Sequence, residues 1–333
     1  MRSFEYTRAT TVKDALAGIV QSEAKFLGGG TNLIDLMRMG TENPARLVDI
    51  NRLPLTAIED HSGGVRIGAM ARNSDVAEHP LIRNLYPVLS QALLAGASPQ
   101  LRNMATMGGN LLQRTRCYYF YDPTYRECNK RRPGSGCAAL HSYNRIHAIL
   151  GASSQCLAVH PSDMCVALAA LDAVIQVTGP KGSRGIHIDE FHRLPGTTPQ
   201  IDTNLHPDEL ITAIDLPPLP SSDPGRSHYL KVRDRNSYAF ALVSVATVLD
   251  IDSKGMIRNA RIALGGVAHK PWRKMSAEQL LIGQPAGETA YHAAAEELIQ
   301  GAQPQRHNAF KIELARRSVV RALSTAAAAG VTG

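Results

Sequence analysis

Glycines set beside hydroxyl and amide side chains, and cysteines embedded among basic residues, are the groups in this chain whose types and spacing could do chemistry. Lys25-Phe26-Leu27-Gly28-Gly29-Gly30-Thr31-Asn32-Leu33 places three glycines between apolar residues and a polar opening. Ala105-Thr106-Met107-Gly108-Gly109-Asn110-Leu111 repeats the arrangement further along. Glycine lacks the Cβ that blocks close approach and reaches positive φ, so successive backbone N–H groups can turn onto one anion. Thr31, Asn32, Thr106 and Asn110 add side-chain donors. Two such loops, one from each of two lobes, predict a grip on the phosphates of a dinucleotide, each charge-assisted hydrogen bond contributing roughly 1.5–3 kcal/mol. The competing reading is two ordinary turns. Neither loop has the spaced glycines of a nicotinamide-type Rossmann site, which disfavours that class.

Cys117, Cys128, Cys137 and Cys156 follow the second loop with ten, eight and eighteen residues between them, in a stretch that Tyr125, Pro133, Gly134, Ser135 and Gly136 make loop-like. Three readings compete. A chain of this core size does not need disulfides. Zinc favours close Cys-x-x-Cys pairs, which are missing. A four-thiolate iron–sulfur cluster tolerates wider spacing, and its negative charge suits basic surroundings. Cys165, beside Val166 and Leu168, reads as a small buried hydrophobe. The run Tyr118-Tyr119-Phe120-Tyr121 reads as packing around the cysteine loop rather than as a base-stacking platform. Twelve histidines show no ligand-like pairs; His160 and His269 adjoin the interesting loops and read as structural. No Ser-His-Asp set, carboxylate dyad or His-Glu-x-x-His appears.

The formal charge is +7, which raises nucleic acid as a partner. Between Leu111 and Leu150, however, Arg114, Arg116, Arg126, Lys130, Arg131, Arg132 and Arg145 face only Asp122 and Glu127, so that segment supplies +5 of it. A local knot of charge favours one nearby anionic object over a nucleic-acid face. The start of the chain, Met1-Arg-Ser-Phe-Glu-Tyr-Thr-Arg8, has no apolar h-region and reads as no Sec-type signal. The longest apolar run, Ala239 to Leu249, is interrupted by Ser244 and Thr247 and is too short for a membrane span.

The elements that must position these groups follow from periodicity and caps. Thr11-x-x-Asp14 opens a helix over Val12–Val20. A strand over Ala24–Leu27 runs into the first glycine loop, a helix from Leu33 stops at Gly40, and a strand spans Arg46–Ile50. Asn51 to Pro54 reads as a hinge. A second lobe has strands over Gly64–Ala69, Ala173–Thr178 and Glu209–Leu216. Its helices are capped by Asn73-Ser74, span Tyr86–Ala95, and follow Pro161-Ser162-Asp163 over Met164–Leu171. Pro217 to Pro224 is the clearest linker. Beyond it, His228–Arg233, Tyr238–Asp250 and Met256–Leu264 read as three antiparallel strands turned by Ser253-Lys254-Gly255. Helices over Ser276–Ile282, Glu288–Ile299 and Phe310–Ala328 close the chain. The class is α+β, with units at 1–54, 55–220 (including a cysteine insertion at about 112–157) and 221–333.

Taken in order, Leu27-Gly-Gly-Gly-Thr-Asn-Leu33, Ala105-Thr-Met-Gly-Gly-Asn110, His160-Pro-Ser-Asp163 and Lys231-Val-Arg-x-Arg-x-x-Tyr-Ala239 resemble the FAD-binding subunits of molybdenum hydroxylases, over essentially the whole chain. That family includes xanthine dehydrogenase, carbon monoxide dehydrogenase and aldehyde oxidoreductase. Gly109-Asn-Leu-Leu-Gln-Arg-Thr-Arg-Cys117, Cys128-Asn-Lys-Arg131 and Pro133-Gly-Ser-Gly-Cys-Ala-Ala139 resemble the subgroup of bacterial periplasmic aldehyde oxidoreductases, whose FAD subunit carries an extra [4Fe-4S] cluster.

The resemblance implies two α/β lobes clasping FAD, then a small α+β domain. It implies that Leu27, Gly28, Gly29, Gly30, Thr31, Asn32 and Leu33, with Thr106, Gly108, Gly109 and Asn110, bind the pyrophosphate and ribityl chain. Asp163, capping its helix, would lie beside the flavin or its ribityl hydroxyls, Lys231 would reach the flavin edge, Tyr238 would stand over the ring, and Ile50 and Asn51 would line the adenine side. Cys117, Cys128, Cys137 and Cys156 would hold the [4Fe-4S] cluster. The implied task is electron transfer from a molybdenum-cofactor subunit, through a [2Fe-2S] subunit, to FAD and then to an external electron acceptor, with no catalytic residue on this chain. The compartment would be the periplasm, by co-export with a signal-bearing partner, or the cytoplasm. Two other classes compete: a self-contained flavin oxidase, and a basic zinc-bearing nucleic-acid module whose binding would fall steeply with salt.

Overall fold

The computed structural model describes residues 1–21, 23–219 and 223–329. Three separate sheets occupy three consecutive stretches of chain. The first is parallel, with strands β1 (Glu5–Arg8), β2 (Ala24–Leu27) and β3 (Arg46–Asp49) in the order β1-β3-β2. The helix Val12–Ile19 begins on a complete capping box: Thr11 Oγ1 accepts from Asp14 N and Asp14 accepts from Thr11 N. The helix Leu33–Met39 ends on Gly40 at φ 77°, whose N–H caps Leu36 and Met37 carbonyls. In this βαβαβ unit the first glycine loop leaves the carboxyl end of β2, the usual place for ligand-binding loops on parallel strands.

The second sheet is antiparallel. Strands β4 (Ile58–His61), β5 (Gly64–Gly68), β6 (Val174–Gly179), β7 (Gly182–His187) and β8 (Leu210–Leu216) lie in the order β4-β5-β8-β6-β7. Between β5 and β6 the chain leaves the sheet to make the helices Asn73–Glu78, Pro80–Leu85, Pro87–Ala95 and Asp163–Ala170, with the cysteine segment among them. Two expected caps are corrected. Arg72, not Asn73, is the N-cap of the first of these helices, and its side chain makes no cap bond. Ser162, not Asp163, caps the last, its Oγ accepting from Cys165 N.

The third sheet, with β9 (Ser227–Val232), β10 (Val243–Ile251) and β11 (Ile257–Gly265), is antiparallel in the order β11-β10-β9. The helices Asp163–Ala170 and Pro87–Ala95 pack against it, and so does the helix Phe310–Ala329. Packing on both faces explains why β10 is buried at every position from Val243 to Leu249, Ser244 and Thr247 included, rather than at alternate ones. Ser253-Lys254-Gly255 makes the expected turn, with Gly255 at φ 78°. The expected linker at Pro217 to Pro224 lies partly outside the described residues, at 220–222. Among the described residues no helix is long and apolar enough to cross a membrane.

A ladder of buried ions ties the cysteine segment to the rest. Arg114 pairs with Glu42 of the first unit, and its Nε lies 2.9 Å from Asp202 Oδ2. Asp202 also pairs with Lys130, whose side chain is 1% exposed and whose Nζ reaches Pro199 O and His269 Nε2 at 2.7 Å each. Burial alone would raise the Asp202 carboxyl; Lys130 and Arg114 reverse this and hold it well below the usual carboxylate range. A depressed carboxylate contributes stability that is present above its ordinary pKa and lost as pH falls through the lowered one. Asp202→Asn leaves the Lys130 ammonium buried without its counter-charge. The expected loss is roughly 2–3 kcal/mol at neutral pH, less than a fully buried pair because Asp202 is partly solvated. Urea titrations of both proteins across pH should show the difference shrinking as acid protonates Asp202.

Candidate functional site

The two glycine loops meet. A Cβ on Gly29 would lie 1.9 Å from the Met104 carbonyl oxygen, and one on Gly28 would lie 3.1 Å from Thr106 Oγ1. The first unit and the second therefore touch backbone to backbone. Asn51 braces this contact from behind. Its Nδ2 donates to Gly28 O at 3.0 Å and Leu27 O at 3.3 Å, while Arg72 donates to Asn51 Oδ1 and to Met104 O. Asn51 thus supports the loop instead of lining a ligand pocket.

Beside this contact runs a cleft of about 930 Å³, at the upper end of small-molecule sites. Gly30, Thr31, Asn32, Gly109, Asn110, Asp163, Lys231 and Tyr238 line it; Leu27, Gly28, Gly29, Leu33, Asn51, Thr106 and Gly108 stand behind its wall. The loops are not equivalent. Met107 N donates to Ala71 O, Gly108 N to Ala69 O, Gly109 N to Thr106 Oγ1 and Asn110 N to Thr106 O. The second loop's amides are used inside the protein, and Thr106 is a helix cap. Among the described residues the amides of Gly28 to Asn32 have no protein acceptor. The expectation of two symmetric cradles is corrected to one cradle and one buttress.

The floor comes from two units. Asp163 accepts from Tyr229 Oη at 2.6 Å and from Lys231 Nζ at 2.8 Å, and Lys231 also reaches Ala95 O at 3.0 Å. The Lys231 side chain is 4% exposed. Its ammonium is held in the floor rather than extended toward a ligand. Asn110 Oδ1 accepts from Ser162 Oγ and Gln113 Nε2, which leaves its own Nδ2 donors free among the described residues. Asn32 is occupied, accepting from Arg114 N and donating to Tyr121 Oη.

The mouth is aromatic. The four-residue helix Tyr118–Tyr121 divides its rings. Tyr119 and Phe120 are buried with the cysteines, while Tyr118 and Tyr121 line the cleft. Across from them Tyr238 is 58% exposed at φ 50°, a left-handed conformation that is strained for a non-glycine residue and clusters at functional sites. Arg235 steadies it by donating to its carbonyl. Arg116 lies between the Tyr121 and Phe240 rings, 5.4 and 5.1 Å from their centroids; nothing in the sequence separated it from the other basic residues of its segment.

Cys117, Cys128, Cys137 and Cys156 gather around one small cavity, and none forms a disulfide. A short antiparallel bridge sets Cys128 against Cys137, with Gly134 and Gly136 at positive φ in the turn between them. Burial raises the Cys117 and Cys137 thiols and pushes Cys156 up to about 11, while Lys130 pulls Cys156 the other way. Backbone N–H groups point at the sulfurs: Phe120 and Tyr119 at Cys117, Leu157 and Ala139 at Cys137, and Ala158 at Cys156. His147 Nε2 lies 3.1 Å from Cys117 Sγ. Four thiolates on one zinc ion would sit about 3.8 Å apart, from a Zn–S bond of about 2.3 Å. Among the described residues no three of these sulfurs come within 4.8 Å of one another.

Cys165 lies elsewhere, with His160 and His192 and with ligand atoms within 4.8 Å. Ser162 N donates to His160 Nδ1, which puts that ring's proton on Nε2 and removes the lone pair a metal needs there. Burial keeps both imidazoles neutral, His192 down to about 4, and pushes Cys165 up to about 12. Cys165 and His192 are core packing, and His160 borders the cleft. Three cations of the basic knot, Arg114, Lys130 and Arg145, are each paired to carboxylates of other segments.

Residues 2–219 match the family described as "FAD binding domain in molybdopterin dehydrogenase", and residues 228–326 match "CO dehydrogenase flavoprotein C-terminal domain". The chain is 51% identical over 331 residues to the aldehyde oxidoreductase FAD-binding subunit PaoB of Escherichia coli (strain K12), covering 98% of this chain and 99% of that one. It is 29% identical over 283 residues to the glyceraldehyde dehydrogenase medium chain of Sulfolobus acidocaldarius, covering 84% and 82% respectively. Its fold is similar to that of a chain of carbon monoxide dehydrogenase from Hydrogenophaga pseudoflava, with a TM-score of 0.76, 27% identity and 98% coverage of each chain. With one amide cradle, a floor shared between units and an aromatic mouth arranged along a single cleft, the chain belongs to the FAD-binding subunits of the xanthine dehydrogenase and carbon monoxide dehydrogenase family.

Proposed function

We propose that this chain is the FAD-bearing electron-transfer subunit of a molybdenum-dependent aldehyde oxidoreductase, working with a molybdenum-cofactor subunit and a [2Fe-2S] subunit. The observation that carries the reading is the cleft, lined by Gly30, Thr31 and Asn32, whose amides have no protein acceptor among the described residues, with exposed aromatic rings at its mouth. The likeness to an aldehyde oxidoreductase FAD-binding subunit supplies the substrate class. When bound, FAD accepts electrons and passes them to an external acceptor.

The chain's own residues bind and orient. The amides of Gly30 to Asn32 and the Thr31 hydroxyl would receive the pyrophosphate, with Leu27, Gly28, Gly29, Leu33 and Asn51 fixing the loop's path. Thr106, Gly108 and Gly109 shape the wall, and Asn110 Nδ2 is a donor for the ribityl hydroxyls. Asp163, held by Tyr229 and Lys231, forms the floor under the ring, and Tyr238 stands at its open side. Cys117, Cys128, Cys137 and Cys156 would hold a [4Fe-4S] cluster. In support, the amides aimed at the sulfurs and the Lys130 charge offset the negative charge that four thiolates bring.

An absorption spectrum with iron, zinc and acid-labile sulfide analysis tests both cofactors. The expected protein is yellow-brown, with four iron and four sulfide per chain beyond the partner's clusters, about the composition of one cubane centre. Cys128→Ser should remove that iron and leave the flavin; unchanged iron would sink the ligand assignment, and stoichiometric zinc in its place would favour the single-ion reading. Gly29→Val should lose flavin, since even a Cβ there meets the Met104 carbonyl. A variant that purifies fully yellow would show that this contact does not set the cleft.

A further inference from the structure

We propose that Arg116 is the cation that stabilises the negative charge the flavin ring acquires at N1–C2=O on reduction, and that it thereby raises the cofactor's potential. This rests on the reading of the cleft as an FAD site. Arg116 lines the cleft, half-buried, with its guanidinium caged between Tyr121 and Phe240. Its guanidinium makes one hydrogen bond among the described residues, from Nη1 to the Arg114 carbonyl. Among the described residues no carboxylate comes within ion-pair distance of it, whereas Arg114, Lys130 and Arg145 of the same segment each have one. Asp35, whose charge is felt at Arg116, is itself engaged by the Tyr121 hydroxyl at 2.9 Å.

A planar cation held still by two ring faces, with most of its five donors unused, is prepared for an anion that the protein does not supply. A pyrophosphate is served by the free amides of the first glycine loop. Arg116 stacks on Phe240 as well as on Tyr121, and Phe240 follows Tyr238 by two residues on the aromatic side of the cleft, where a flat ring open to an external acceptor would lie. Two electrons from the partner's iron–sulfur centres and one proton at N5 turn the neutral ring into an anion. Arg116 needs no proton exchange to meet that charge, because a guanidinium stays ionised throughout. Stabilising the reduced form over the oxidised one raises the potential.

The test is made on the assembled complex, with Arg116→Gln and Arg116→Lys, by FAD content, iron content and spectroelectrochemical titration of the flavin. Arg116→Gln should keep its FAD yet favour reduced over oxidised flavin about tenfold less, a fall of about 30 mV for a two-electron couple. Arg116→Lys should recover part of it. An unchanged flavin potential in Arg116→Gln, with FAD and iron retained, overturns the proposal. Equal weakening of both oxidation states with the potential unmoved also overturns it, and assigns Arg116 to the pyrophosphate. If Arg116→Gln retains no FAD, the potential of Arg116→Lys decides by the same criterion. Wild-type complex purified without flavin would instead refute the cleft assignment itself.

Discussion

The contact between the Gly29 backbone and the Met104 carbonyl sets the spacing of everything around the cleft. No side chain fits between them, so the distance from the first unit to the second is fixed by two main chains. Arg72 and Asn51 cross-link the same junction with hydrogen bonds to Met104, Gly28 and to each other. Because the second loop directs its amides inward to Ala69, Ala71 and Thr106, it can serve as a rigid wall. The first loop, relieved of that task, keeps its N–H groups unpartnered. An anion site requires such a division, since donors already satisfied by protein gain little from a phosphate.

Electrostatics connect this junction to the cysteine segment. Arg114 bonds Asn32 through its amide and pairs with Glu42 and Asp202 through its guanidinium. Two residues later Arg116 faces the cleft, and Cys117 follows with its sulfur turned the other way, into the cysteine cavity. Positions 114, 116 and 117 thus serve an ion ladder, the cleft and the cysteine cavity in turn. Lys130 makes the reciprocal link, flanked by Cys128 in sequence and joined to Asp202 in space. The segment that reads in sequence as a basic insertion is in fact threaded between the other units.

The glycine loops, the antiparallel third sheet and the closing helices were legible because their signals are local: glycine where a main chain passes, caps such as Thr11 and Asp14, and apolar periodicity. The short edge strands β1, β4 and β7 were not. Glu5–Arg8 is exposed at every position and Gly182–Gly185 likewise, so neither alternates in hydrophobicity, and pairing with a neighbour rather than burial defines them. The four cysteines could be grouped from the sequence, but their amide surroundings could not. The roles of Asn51, Thr106 and Lys231 moved from contacting to supporting because their partners, Gly28, Gly109 and Asp163, are read only from three-dimensional proximity. The aromatic run Tyr118 to Tyr121 was legible as packing for two of its rings; the helical turn that sends the other two to the cleft starts at Cys117, whose carbonyl accepts from Phe120 N and Tyr121 N.

The floor beneath the cleft has a consequence for biosynthesis. Asp163 is positioned by Tyr229 and Lys231, which arrive on β9 from the last third of the chain, and β9 is itself held between β10 and the helix Pro87–Ala95. A nascent polypeptide still tethered to the ribosome, with only its two N-terminal units released, presents the amide loop over an open hole. Capture of the nucleotide therefore belongs after β9 has been made and has docked, when the ring first has something to rest on.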